Sequence, residues 1–186
     1  MRSLVLAGGR SSRMGRDKAL IEVGGVACIA RVASALAAAG CEPIRIAVAQ
    51  PEDVERYGQV MPDGLDIEWV LDAFTHAGPI EAVVESLSDP LVADVDSIQL
   101  CPVDVPWVTA DLFFELEKTL GSGDLLAIPA DPQRTHPLLA RVRPAVASTI
   151  GDDRRPLHVQ FSEMEHSTLL TETAILRNVN TPDDLN

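Results

Sequence analysis

Short runs of buried-type residues alternate with longer stretches of helical spacing, and this alternation restricts the fold more than any other feature of the chain. Ser3–Leu6, Pro43–Ala49, Ile67–Leu71, Ser97–Cys101 and Leu125–Pro129 read as strands, with Pro137–Arg141 as a further one. Val26–Ala39, Glu52–Tyr57, Pro79–Leu87 and Thr109–Leu120 read as the intervening helices. Their ends carry chemical signals: Gly40 suits a helix C′ position, Pro79 a first turn, and Thr109 an N-cap with Asp111 following it. After residue 142 the pattern weakens to helices near Pro144–Ile150 and Arg155–Met164 and a short strand near Ala174–Val179. Such alternation predicts an α/β fold: a doubly wound, mostly parallel sheet with helices on both faces. No repeat, low-complexity tract or linker interrupts it, and 186 residues with 46% apolar content fit one domain, 1–186.

Sheets of this kind bind ligands outside the carboxyl ends of their strands. The chemically distinctive stretches fall there. A glycine-rich loop follows the first predicted strand, Asp72 the third, Cys101-Pro102-Val103-Asp104 the fourth and Thr135-His136-Pro137 the fifth. The loop, Leu6-Ala7-Gly8-Gly9-x3-Arg13-Met14-Gly15-x-Asp17-Lys18, is neither a Walker A loop nor a GxGxxG fingerprint. Its physics is related: Gly8 and Gly9 let backbone N–H groups approach an anion, while Arg13 and Lys18 neutralise a polyphosphate.

Charge sharpens the point. The formal net charge is −13 and only two lysines occur, Lys18 and Lys118. An acidic chain is a poor coat for nucleic acid, so the cationic cluster of Arg10, Arg13, Arg16 and Lys18 suggests a bound small anion. No apolar run approaches the roughly 18 residues of a membrane span, and the opening residues lack the apolar stretch of a signal peptide. The expectation is a cytoplasmic protein without membrane contact. Cys28, Cys41 and Cys101 show no CxxC spacing and read as free buried thiols.

With these residues in place, the sequence resembles the nucleotidyltransferases that guanylylate the molybdenum cofactor, the MobA family. The opening string looks like the family's LAGGxSxRMGxDK signature. Ala77-Gly78-Pro79-Ile80 is similar to its Gly-Pro-Leu segment, Cys101–Pro106 to its Cys-Pro-x-Asp-x-Pro, His136-Pro137 to its His-Pro, and Asn178–Leu185 to its closing Asn-Val-Asn-Thr-Pro. The matches keep their order across essentially the whole chain. The resemblance implies a Rossmann-like nucleotidyltransferase fold whose N-terminal part binds nucleotide and whose C-terminal part binds the acceptor. It implies transfer of GMP from GTP to molybdopterin cofactor with Mg²⁺, and transient contact with cofactor-insertion or molybdoenzyme proteins. Leu6, Ala7, Gly8, Gly9, Lys18, Asp72, Gly78 and Asp104 would bind the nucleotide, with Arg13, Lys18 and Asp104 catalytic.

Several of these residues also have readings of their own. Asp104, between two prolines, is a fixed hard-oxygen ligand suited to Mg²⁺. Asp72 either accepts hydrogen bonds from guanine or ribose, or caps a helix. Gly78 either allows close approach of a ligand or simply starts a helix. Asn178 and Asn180, two residues apart, share a face and suit a polar heterocycle such as a pterin, or else form a strand end. Arg154 and Arg155 match a paired-arginine stretch that grips the acceptor phosphate, with Arg155 taken as the binding residue; a solvated pair is the alternative. His136 faces either the cleft or the packing. Two departures, Gln50 where relatives often carry Asn and Ala82 where they often carry Gly, fall near the base pocket. Leu6-Ala7-Gly8-Gly9, rather than the Leu-Ala-Ala-Gly of CTP-using relatives, favours GTP. CTP, another phosphorylated acceptor, or a binding adaptor without catalysis are the other readings.

Overall fold

The computed structural model describes residues 2–7, 17–71, 79–92, 94–180 and 184. Its main sheet has seven strands in the order β5-β4-β1-β6-β8-β7-β9. These are β1 (Ser3–Leu6), β4 (Ile44–Val48), β5 (Ile67–Leu71), β6 (Ile98–Pro102), β7 (Leu126–Ala130), β8 (Arg141–Val142) and β9 (His166–Leu170). β2 (Glu22–Val23) and β3 (Val26–Ala27) form a separate hairpin whose turn residues, Gly24 and Gly25, both have positive φ. Every neighbouring pair in the main sheet is parallel except the two made by β8. The expected doubly wound, mostly parallel sheet is therefore what the chain forms.

Alternation along the buried strands sends side chains to two cores. Val5, Ile44, Ile46 and Cys101 pack with α1 (Cys28–Ala38), α2 (Pro51–Gly58) and α4 (Ala110–Thr119) on one face. Leu4, Leu6, Leu100 and Ile128 pack with α3 (Pro79–Leu87), α5 (Val146–Ile150) and α6 (Leu157–Glu163) on the other. Helix ends follow the sequence signals. Gly40, at φ +69°, closes α1 with Gly40 N–H on the Ala37 carbonyl and Cys41 N–H on that of Leu36. Thr109 Oγ1 caps α4 by accepting from the Leu112 N–H at 3.3 Å, a cap worth about 1 kcal/mol.

Three expectations need correction. The first predicted helix does not begin at Val26: Val26–Ala27 pairs with Glu22–Val23, and α1 starts at Cys28. Pro137–Arg141 is not a strand throughout; Pro137–Leu139 is a 3-10 turn, with only Arg141–Val142 in the sheet. The last strand is not at Ala174–Val179 but at His166–Leu170, parallel to β7. Ile175 and Leu176 instead close a turn, with hydrogen bonds from their N–H groups to the Glu172 and Thr173 carbonyls. Leu176 fills the first core from that turn.

β1 lies between β4 and β6, so successive crossovers leave it in opposite directions. That reversal opens a crevice at its carboxyl end.

Candidate active site

A cavity of about 790 Å³ occupies this crevice, lined by Leu6 and Ala7 after β1 and by Val103 and Asp104 after β6. The Val103 N–H bonds the Leu6 carbonyl at 3.3 Å, and Ala7 N–H bonds the Ala47 carbonyl at 3.2 Å, so both strand exits are tied to the sheet. Asp104 is fixed from a second side: its carbonyl accepts from the Val179 N–H at 2.8 Å.

Four predicted residues meet here. Lys18, in the 3-10 turn Lys18–Leu20, places Nζ 3.0 Å from Asp104 Oδ2 and 2.7 Å from Asn180 Oδ1. Asn178 Nδ2 donates to Asp104 Oδ1 at 3.3 Å. A carboxylate only accepts, so this contact fixes which end of the Asn178 amide faces Asp104. The other end, Oδ1, is buried with no partner among the described residues. A buried acceptor left unpaired costs about 1–3 kcal/mol. Residues 18 and 180 come together although 178–180 is not a strand; Val179, fully buried between the two asparagines, anchors the segment instead.

Arg134, His136, Arg154 and His158 also line the cavity; His136 and Arg154 were among the sequence candidates, Arg134 and His158 were not. His136 does face the cavity, and its Nε2 lies 3.1 Å from Asp131 Oδ2. Asp131 is held below the usual carboxylate range first by the Gln133 N–H, then by His136 and the Arg134 N–H. Arg155 is placed elsewhere: its guanidinium pairs with Asp153 and Glu163, and Arg154, bonded to Glu81, takes the cavity position. A paired arginine in sequence does not reveal which of the two turns inward. Arg134, with no side-chain partner among the described residues, carried a signal only in its closeness to His136-Pro137.

Gly8, Gly9, Arg13, Asp72 and Gly78 lie outside the described residues. Gln50 is the residue before α2, its carbonyl accepting from the Asp53 N–H at 3.1 Å. Ala82 is buried in α3 against the second core. The three cysteines are free and buried, as expected. Burial pushes the Cys28 thiol up to about 11 and the Cys101 thiol well above its ordinary value, so neither supplies a thiolate nucleophile at neutral pH. Among the described residues no helix is long and apolar enough to cross a membrane.

Residues 3–159 match the MobA-like NTP transferase domain. The chain belongs to the MobA-like NTP transferase family. Its curated relatives include a probable molybdenum cofactor guanylyltransferase from Mycobacterium ulcerans, 30% identical over 98% of this chain and 90% of the relative. Another so named, from Synechococcus elongatus, is 30% identical over 98% of this chain and 94% of the relative. Among solved structures, molybdopterin-guanine dinucleotide biosynthesis protein A from Archaeoglobus fulgidus superposes with a TM-score of 0.73 at 21% identity, covering 100% of this chain and 95% of that one. A nucleotidyl transferase from Methanothermobacter gives a TM-score of 0.77 at 17% identity, covering 98% and 92%. The fold of this MobA-like transferase is thus that of nucleotidyltransferases, and its activity class is nucleotidyl transfer.

Proposed function

We propose that this MobA-like transferase moves GMP from GTP to the terminal phosphate of molybdopterin cofactor, releasing pyrophosphate and forming molybdopterin guanine dinucleotide. The observation that carries the reading is the convergence of Lys18, Asp104, Asn178 and Asn180 at the carboxyl ends of β1 and β6. A terminal phosphate oxygen of the acceptor attacks the α-phosphorus; that P–O bond forms as the bond to the β-phosphate oxygen breaks. The nucleophile is already an anion, so no side chain has to remove a proton. Catalysis then rests on placement and on offsetting charge.

Lys18 presents its ammonium to the triphosphate, with Arg13 as a second cation. Gly8 and Gly9 offer backbone N–H groups, and Asp72 and Gly78 contact the nucleoside. Asn178 Oδ1, buried and without a partner among the described residues, accepts an N–H from the bound ligand. Asn180, with Arg134, His136, Arg154 and His158 of the cavity lining, receives the acceptor.

The donor set also fits Mg²⁺. Asp104 supplies hard carboxylate oxygens at the crevice, and Mg²⁺ takes one or two carboxylates and completes its shell with water and phosphate. Asp104 would hold the ion, which would supply charge neutralisation to the phosphates.

The test is pyrophosphate release by purified protein with Mg²⁺ and molybdopterin cofactor, comparing GTP, CTP and ATP. Release with GTP alone supports the reading. Release favouring CTP overturns the base assignment, and no release despite GTP binding overturns catalysis in favour of an adaptor.

A further inference from the structure

Asp17, the residue before Lys18, has no free oxygen. Its Oδ1 accepts from the Ala19 N–H at 3.1 Å, while its carbonyl accepts from the Leu20 N–H at 3.1 Å, and these two bonds close the turn that carries Lys18. Its Oδ2 accepts from Tyr57 Oη at 2.8 Å and from Arg56 Nη2 at 3.1 Å. Both donors sit in the last turn of α2. The far end of the Lys18 turn is anchored separately, by buried Ala19 and by the Cys28 N–H on the Ile21 carbonyl at 2.8 Å. Its near end is held, among the described residues, through the Asp17 carboxylate.

We infer that Tyr57 is a positioning residue: acting through Asp17, it fixes the direction in which Lys18 presents its ammonium to the nucleotide. The inference rests on the role given to Lys18 above. Tyr57 suits the task. It is 3% exposed and packs against Trp69, with ring centroids 6.5 Å apart, so its hydroxyl cannot wander. Burial, and then the Asp17 carboxylate, push the phenol's pKa upward, so it stays a donor. Arg56 is half exposed and gives a second, softer contact; it is shared with Asp53 at 2.8 Å. Three donors thus hold the two Asp17 carboxylate oxygens in place.

The experiment is a kinetic double-mutant cycle with Tyr57→Phe, Lys18→Ala and the double variant. Tyr57→Phe keeps the ring in the core and removes only the hydroxyl. It is expected to lower kcat on the order of 10-fold, because displacements of an ångström at a reacting centre cost that much or more. The KM for GTP should stay within about twofold, since the contact is one realised in the transition state. In the Lys18→Ala background, Tyr57→Phe should then cost less than about twofold. Equal multiplicative losses in both backgrounds would overturn the inference and leave Tyr57 a staple between α2 and the turn. An unchanged kcat in Tyr57→Phe would also overturn it. If Lys18→Ala alone retains full activity, the role of Lys18 in the proposed reaction fails, which is a separate result.

Discussion

Asp104→Asn separates the chemistry of the site from its architecture. Asparagine has the same size and keeps one acceptor oxygen, so the turn after β6 and the Val179 N–H bond to the residue 104 carbonyl should persist. The substitution removes the negative partner of Lys18. The two side chains are 23% and 18% exposed, between the surface and buried limits, and Lys18 retains Asn180 Oδ1 at 2.7 Å. The structural cost is therefore about 1–2 kcal/mol, or a fall of a few degrees in Tm for a chain of this length. The chemical cost is much larger. Asp104 is the carboxylate that contacts both Lys18 and Asn178, and loss of a preorganised charge at the reacting phosphates lowers the rate on the order of 10²–10³-fold. Scanning fluorimetry and pyrophosphate release on the same preparation read both quantities. A rate within about threefold of the parent would refute the assignment of Asp104 to the reaction. A large fall in Tm accompanying the loss of rate would refute the claim that its contribution is chemical.

Arg45, 4% exposed, ties β4 to β5 through Glu68 and reaches Asp89 at 2.5 Å; Arg45→Met should destabilise by about 2–3 kcal/mol, below the full cost of breaking a buried pair because the carboxylates are 36% and 24% exposed, and chemical denaturation would measure it. Acid should destabilise too. Asp89 is held low by the Leu91 N–H and Arg45, Asp131 by the Gln133 N–H, and Asp153 and Glu163 by Arg155. Their folded pKa values lie below the unfolded ones, so their stabilisation is present above the ordinary carboxylate pKa of about 4 and is lost as pH falls through the depressed values. Tm should be flat near neutrality and drop below about pH 4; a rise on acidification would contradict this. The three buried thiols should resist a thiol reagent at pH 8 until the chain unfolds, and rapid labelling of folded protein would refute their burial.

β1 and β4 were legible because they are buried on both faces and bounded by turn residues, and β1 and the half-buried edge strand β5 coincide with their predicted spans. The second half was harder. β9 is an edge strand whose residues are half exposed or exposed, so it shows no apolar run, while Ile175, Leu176 and Val179 mimic a strand although they serve a turn and an anchor. β8 is two residues long, too short for any periodicity. At the site, Lys18, Asp104, Asn178 and Asn180 were each named from sequence; the strand-end rule places Asp104 after β6, while Asn178 and Asn180 arrive from a segment outside the sheet. The side-chain choice between Arg154 and Arg155 is decided by Glu81, Asp153 and Glu163, partners that no local spacing announces.

The bond between Lys18 and Asn180 joins positions 162 residues apart. Strands β1, β4, β5 and β6, with α1 and α2 against them, can assemble while the polypeptide is still being made. The Lys18–Asp104 pair can form at that stage as well, but both amides arrive only with residues 178–180. A chain lacking residues 178–180 would therefore present a nucleotide crevice without these two contacts.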